Sequence, residues 1–149
     1  MKERVLIVDN HPAVRMAIKL MLVDSDFDVV AEVGDGAVAL RLIRSLHPTV
    51  IIMDINIPTV DGLTLISELH AKKLPLKVVV YTGDPSYNLA CYCQQMGVQS
   101  VLSKQCELLE LISAVKAVVD GEEYFPEFWR AVPRDTFKDN EVMSPRLLQ

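Results

Sequence analysis

The sequence has few cysteines, and their spacing does not indicate a metal site. Its three cysteines, Cys91, Cys93 and Cys106, are an odd number among 149 residues and lack the paired spacing of zinc ligands. The three histidines are scattered along the chain, so a four-ligand zinc site is not indicated. We therefore expect reduced thiols and treat a metal or redox role for Cys91 and Cys93 as the less favoured interpretation.

Positive charge is also scarce. Fifteen lysines and arginines stand against twenty aspartates and glutamates, which gives a net charge of -5 and a pI near 5.1. Binding to the phosphate backbone of nucleic acid requires a basic patch. The composition therefore argues that this polypeptide reaches any DNA partner only indirectly.

Long apolar runs are missing too, since none approaches the length of a membrane span. The first residues, Met1-Lys2-Glu3-Arg4, lead directly into a short strand without the apolar region of a secretory signal. We expect a cytoplasmic protein with no membrane contact. Half of its residues are apolar, which is enough for one domain with a proper core and a tail.

Strand-like and helix-like patterns alternate five times, which predicts an α/β domain with a parallel sheet. Short right-handed crossovers favour a doubly wound arrangement with strand order 2-1-3-4-5 and five helices. The predicted strands cover residues 5–8, 27–32, 50–53, 78–81 and 100–103. The predicted helices begin after His11, Gly36, Asp61, Ser86 and Cys106, and the last one ends at Gly121.

After Gly121 the alternation stops. We expect residues 1–121 to form the domain and residues 122–149 to form a linker or tail. Tyr124-Phe125-Pro126 and Phe128-Trp129 are interpreted as the aromatic anchor of a linker, and the polar, proline-containing stretch 133–145 as a flexible tether.

Chemically useful side chains follow four of the predicted strands. Asp9 and Asp54 end two apolar strands, Thr82 ends a third, and Lys104 follows a fourth. Ligands of open α/β sheets bind at the carboxyl ends of the strands. An isolated Asp, Thr or Lys at such a place is usually a turn or surface residue, but the combination favours a site in which Asp54 is a nucleophile.

With these placements the chain resembles bacterial response-regulator receiver domains over roughly residues 3–121, and its fold is expected to be flavodoxin-like. The resemblance rests on the segments Val8-Asp9-Asn10-His11-Pro12, Met53-Asp54-Ile55-Asn56-Ile57-Pro58 with Asp61-Gly62, Tyr81-Thr82-Gly83 and Ser103-Lys104. His11-Pro12 and Tyr124-Phe125-Pro126 are similar to the branch whose receivers precede a LuxR-type helix-turn-helix.

The resemblance implies a chemistry for these residues. Asp54 would accept a phosphoryl group from the phosphohistidine of a sensor histidine kinase, and Lys104 and Thr82 would contact that group. A Mg²⁺ ion would lie among Asp9, Asp54 and the backbone carbonyl of Asn56. The protein would at most phosphorylate and dephosphorylate itself at Asp54, without being a turnover enzyme.

The resemblance also implies partners. Met143-Ser144-Pro145-Arg146 is similar to the opening of a DNA-binding output domain, which we expect to be missing from this sequence. Phosphorylation would then regulate transcription through that domain and through contacts between partners, with a homodimer expected. The kinase, the target genes and the dimer face are not indicated by the sequence.

Two positions depart from the family pattern. Asn10 stands where receivers usually carry a second acid that ligates the metal, so Mg²⁺ binding should be weakened. Asn10 is alternatively a helix cap. Val101 stands where receivers usually have Tyr or Phe, and a small β-branched side chain cannot move a ring between two positions.

Three other functions stay open at this point. The departures at Asn10 and Val101 favour a pseudo-receiver, an interaction module that works without phosphorylation. A hydrolase with an aspartyl nucleophile needs a second Asp two residues later, where this chain has Asn56. A flavodoxin-like flavin carrier shares the sheet order, but its phosphate loop should be rich in Ser, Thr and Gly.

Overall fold

The computed structural model describes residues 2–125, in which five parallel strands form one sheet. The strands are β1 (Glu3–Val8), β2 (Phe27–Val33), β3 (Val50–Met53), β4 (Lys77–Thr82) and β5 (Ser100–Ser103). Their order is 2-1-3-4-5, and all pairs are parallel, so the predicted doubly wound topology is confirmed. This order brings the carboxyl ends of β1, β3, β4 and β5 side by side.

Five helices alternate with the strands, as predicted. They are α1 (Pro12–Leu22), α2 (Gly36–Leu46), α3 (Gly62–Lys72), α4 (Tyr87–Gln95) and α5 (Leu108–Val119). Side chains of Asp35, Asp61 and Ser86 accept hydrogen bonds from backbone amides in the first turns of α2, α3 and α4. The N-cap of α1 is His11, so the alternative interpretation of Asn10 as a helix cap is wrong.

The core has two parts, one on each face of the sheet. The α2, α3 and α4 side includes Leu6, Ile51 and Val80, and the α1 and α5 side includes Ile7, Ile52 and Val79. Every residue of β3 is buried because helices cover both faces of this central strand. Buried positions of α5 include Ala114 and Val118, and Val119 is half-buried.

The cysteines lie in this core or near it. Cys91 and Cys93 are buried within α4, and Cys106 is half-buried, all as free thiols. Burial raises the pKa of the Cys93 thiol well above its usual range. A buried, protonated thiol is a poor metal ligand and nucleophile, so the structure gives no support to a redox role there.

The chain after α5 returns to the sheet. Gly121 adopts a left-handed conformation with φ of 91°, and Tyr124 then pairs with Ser100 as an isolated parallel bridge. Phe125 is only 3% exposed. Phe128, Trp129 and the predicted tether 133–145 lie outside the described residues. Across residues 2–125, no helix combines the length and apolar character needed to cross a membrane.

Candidate phosphoacceptor site

Four predicted site residues meet at the carboxyl edge of the sheet. Asp9 and Asp54 directly follow β1 and β3, Thr82 is the last residue of β4, and Lys104 directly follows β5. Asp9, Asp54 and Thr82 are at most 3% exposed, although apolar residues normally fill such positions. Polar groups buried this deeply need partners, and the site supplies them.

The ammonium group of Lys104 joins the two aspartates. Its Nζ lies 2.7 Å from Asp9 Oδ2 and 2.7 Å from Asp54 Oδ2. Burial by itself lowers the pKa of Lys104, but hydrogen bonds and charge interactions with Asp54 and Asp9 outweigh it, so the pKa is raised. The site therefore contains a positive charge between two carboxylates that would otherwise repel each other.

The backbone fixes the second oxygen of Asp54. Its Oδ1 accepts a hydrogen bond from the Ile55 amide at 2.7 Å, and the Asn56 amide lies 3.5 Å away. The carboxylate is thus held by the loop on one oxygen and by Lys104 on the other. A nucleophile held in one orientation needs less reorganisation before it attacks.

This loop is held in place by close packing at two glycines. A Cβ atom on Gly36 would lie 1.7 Å from the Val60 carbonyl oxygen, and one on Gly62 would lie 2.6 Å from the Ile55 Cα. Only glycine allows α2 and α3 to begin so close to the loop after β3. The backbone that orients Asp54 is therefore part of a tightly packed unit.

Thr82 lies beside the aspartates but points toward an adjacent cleft. Its hydroxyl oxygen accepts a hydrogen bond from the Asp84 amide at 3.2 Å, and its carbonyl accepts one from the Lys104 amide at 2.8 Å. A cleft of about 320 Å³ opens here, lined by Ile55, Asn56, Asp61, Leu63, Thr82, Asp84 and Leu89. The cleft thus lies next to the loop that follows Asp54.

His11 belongs to the site, which the sequence interpretation missed. Its Nδ1 lies 2.9 Å from Asp9 Oδ1 and 3.3 Å from Lys104 Nζ, and its amide also donates to Asp9 Oδ1 at 2.9 Å. The ring itself is 60% exposed at the mouth of the site. The only signal in the sequence that His11 belongs to the site is its position two residues after Asp9.

Arg15 is a second residue that the sequence interpretation missed. Its guanidinium donates to the Asp9 carbonyl at 2.6 Å and to Glu32 Oε1 at 3.0 Å, and Lys19 also pairs with Glu32. These contacts attach the loop after β1 to the neighbouring strand β2. The backbone of Asp9 is thereby fixed on the side away from Lys104.

Comparison with known proteins agrees with this geometry. The family model described as "Response regulator receiver domain" matches residues 5–116. The chain belongs to the response-regulator receiver family. Membership in this family favours a receiver domain over the flavin carrier and the hydrolase.

Relatives of this receiver domain include bacterial transcription regulators. A transcriptional regulator of Pseudomonas aeruginosa is 40% identical over 139 residues, which cover 93% of this chain and 67% of that protein. The transcription regulator BvgA of Bordetella pertussis is 38% identical over 126 residues, covering 85% of this chain and 60% of BvgA. The receiver chain thus spans about two thirds of the length of these relatives.

Solved structures show the same fold. The receiver domain of NarL from Mycobacterium tuberculosis has a TM-score of 0.76 and 29% identity, covering 81% of this chain and 98% of that one. A LuxR-family response regulator from Aurantimonas has a TM-score of 0.76 and 25% identity, covering 83% and 89%. The predicted resemblance to the LuxR branch is therefore confirmed.

A metal ion could bind at this receiver site. Asp9, His11 and Asp54 each offer one ligand atom, and these atoms lie within 4.8 Å of one another. Buried carboxylate oxygens are the donors that hard cations such as Mg²⁺ prefer, so the two aspartates fit such an ion. Asn10 and Asn56 are exposed in the loops around them. Any metal ion would compete with Lys104, which already contacts both aspartates.

Proposed function

We propose that this receiver accepts a phosphoryl group on Asp54 from a sensor histidine kinase and then changes its contacts with partners. One observation carries the proposal: a buried carboxylate at a strand end is oriented by the backbone and contacted by an ammonium group at 2.7 Å. Phosphoryl transfer depends mostly on positioning and charge stabilisation, and these are the features that the site provides.

The proposed transfer is a direct displacement at phosphorus. One Asp54 oxygen forms a bond to phosphorus while the bond from phosphorus to the donor imidazole nitrogen breaks, and that nitrogen takes up a proton. Lys104 moves with the growing charge and pairs with phosphoryl oxygens, and the Thr82 hydroxyl donates to another oxygen. In the later hydrolysis a water oxygen bonds to phosphorus while the bond from phosphorus to the Asp54 oxygen breaks, so inorganic phosphate leaves and the Asp54 carboxylate is restored.

We propose Mg²⁺ as the cofactor of this transfer. Asp9, Asp54 and the Asn56 backbone carbonyl would hold it, with Asn10 contributing at most a neutral amide oxygen. The ion would supply positive charge next to the phosphoryl oxygens. Because Asn10 replaces a carboxylate and Lys104 occupies the gap between the aspartates, we expect weak binding.

The wider role follows from the relatives. EvgA of Escherichia coli, 26% identical to this chain, is named a DNA-binding transcriptional activator. RcsB, 25% identical to this chain, has been solved as two dimers bound to two parallel DNAs. We propose that this receiver likewise acts in the cytoplasm as a homodimer and regulates transcription through a DNA-binding output domain.

A pseudo-receiver is the second candidate function. The contacts of Lys104 with both aspartates favour it, because one of the two negative charges is already compensated without metal or phosphate. The fully buried Val101 favours it too, since it has no ring to reorient. In that case the domain would bind partners in one fixed state.

Labelling with acetyl phosphate and Mg²⁺, followed by intact mass, separates the two candidates. We expect the wild type to gain one phosphoryl group and Asp54→Asn to gain none, while Asp84→Asn at the nearby cleft still labels. Asn10→Asp should label at a lower Mg²⁺ concentration. A wild type that stays unlabelled at every Mg²⁺ concentration would leave the pseudo-receiver as the function.

A further inference from the structure

The segment after α5 forms a strap across the edge of the sheet. We define the strap as residues 122–125. It is held by hydrogen bonds from the Glu122 amide to the Ala117 carbonyl and from the Tyr124 amide to the Gln99 carbonyl, both 2.9 Å long. Tyr124 pairs with Ser100, the first residue of edge strand β5. The strap therefore covers the start of β5 through a single bridge.

Phe125 belongs to the same core cluster as Val101. Each residue follows one member of the bridge between Tyr124 and Ser100. Both are buried on the α4 side of the sheet, at 3% and 0% exposed. The strap thus contributes an aromatic ring to the part of the core that includes Val101.

Strand β5 connects this ring to the site. The strand has four residues of about 3.3 Å rise each, with the strap at its first residue and Lys104 directly after its last. The Lys104 amide is bonded to Thr82 and its ammonium group to Asp9 and Asp54. A movement of Lys104 therefore acts on the same short strand that the strap covers.

One polar group of Ser100, the residue paired with the strap, has no hydrogen-bond partner. Within the described residues, Ser100 Oγ is buried and has no hydrogen-bond partner. A buried hydroxyl without a partner is destabilising, and release of the strap would let water reach it. The cost of this hydroxyl lowers the free-energy difference between the docked and released states of the strap. A small difference is what a two-state switch requires.

We propose that the strap is the readout of the site: it stays docked while Lys104 joins Asp9 and Asp54, and it is released when Lys104 moves to a phosphoryl group on Asp54. This inference rests on the proposed function for its natural trigger. Its physical content is a coupling between the Lys104 contacts and the docking of Phe125. A variant can test that coupling without any phosphate.

The first test measures hydrogen exchange of the Tyr124 amide by NMR in the full chain. Lys104→Met leaves two buried carboxylates without their cation, so we expect exchange at Tyr124 to accelerate at least about tenfold relative to the wild type. Lys104→Arg keeps the positive charge and should stay close to wild type. Lys116→Met removes an exposed lysine of α5 and serves as the matched control.

Amides of central strand β3 report global unfolding in the same samples. Lys104→Met also lowers the global stability, so exchange in β3 accelerates with it and measures the global part of the effect. Acceleration at Tyr124 by local opening, with an opening free energy below that of β3 in both proteins, supports the coupling. Unchanged exchange at Tyr124, exchange there only by the global unfolding seen in β3, or an equal effect of Lys116→Met overturns it.

A second test uses acetyl phosphate, with intact mass to count phosphoryl groups. If Asp54 is labelled and exchange at Tyr124 is unchanged, the strap inference is wrong while the proposed function stands. If no label appears, the proposed function fails, and the lysine variants still decide the coupling.

Discussion

At the residue scale, the site is a balance of charges. Asp9 and Asp54 are buried at 2% and 3% exposure, and Lys104 contacts both of them. Such clusters are sensitive to the loss of one member, because the remaining charges stay buried without compensation. Lys104 therefore contributes to folding as well as to the proposed chemistry.

Lys104→Met is expected to lower the free energy of unfolding at neutral pH by about 2–4 kcal/mol, since it leaves two carboxylates facing each other. Adding Asp54→Asn should recover a large part of that loss by removing one of the two charges. Urea unfolding of both single variants and the double variant measures the coupling. Strictly additive effects would show that Lys104 does not interact with Asp54.

Ionisation of Glu32 makes the free energy of unfolding depend on pH in the acid range. Hydrogen bonds from Lys19 and Arg15 hold the pKa of Glu32 below its ordinary value of 4.5. A lowered pKa in the folded state means that this contribution is complete above pH 4.5 and is lost as pH falls through the folded-state pKa.

Unfolding free energies of the wild type and Glu32→Gln, measured over that acid range, test this contribution of Glu32. The difference in unfolding free energy between wild type and variant should shrink as pH is lowered. The effect should be small, because the carboxylate is 29% exposed and screened by solvent. A constant difference between pH 6 and the acid limit of folding would contradict it.

At the scale of elements, the contacts of α2 and α3 with the loop after β3 decide where Asp54 points. Capping residues Asp35 and Asp61 begin both helices beside this loop, and Thr59 also donates to Asp35. The close approach at Gly36 leaves no room for a side chain. The starts of the two helices and the orientation of Asp54 are thus set by the same packing.

Gly36→Ala is expected to lower the free energy of unfolding by about 1–3 kcal/mol, because its Cβ would overlap the Val60 carbonyl. It should also slow acetyl-phosphate labelling of Asp54 by displacing the loop. Gly83→Ala is the matched control, since nothing lies within 4 Å of its added Cβ. Equal stability of the two variants in thermal unfolding would refute the packing argument.

At the scale of the whole molecule, the predicted domain boundary at Gly121 stays a prediction, but four further residues are associated with the sheet. The strap places Phe125 in the core and covers part of an edge strand. Exposed edge strands invite unwanted pairing, so this cover also protects the sheet. Within the described residues, the folded unit therefore extends to Phe125.

A fragment ending at Phe125 is expected to be more stable than one ending at Gly121 by about 1.5–3 kcal/mol, the value of burying one large apolar side chain. Denaturant unfolding of the two fragments gives the difference. Phe125→Ala in the longer fragment should account for most of it. If the fragments unfold at the same denaturant concentration, the strap does not contribute to the stability of the domain.

The sequence by itself determined the strand order, the approximate helix bounds and the four strand-end residues. This was possible because periodicity and chain order are local properties, and parallel strands bring their carboxyl ends to one edge. Only the tertiary structure decided the roles of His11 and Arg15, the position of Asn10 outside the helix cap, and the docking of Phe125 in the core cluster that includes Val101. These contacts join residues that are distant in sequence or depend on side-chain direction, and no local pattern specifies them.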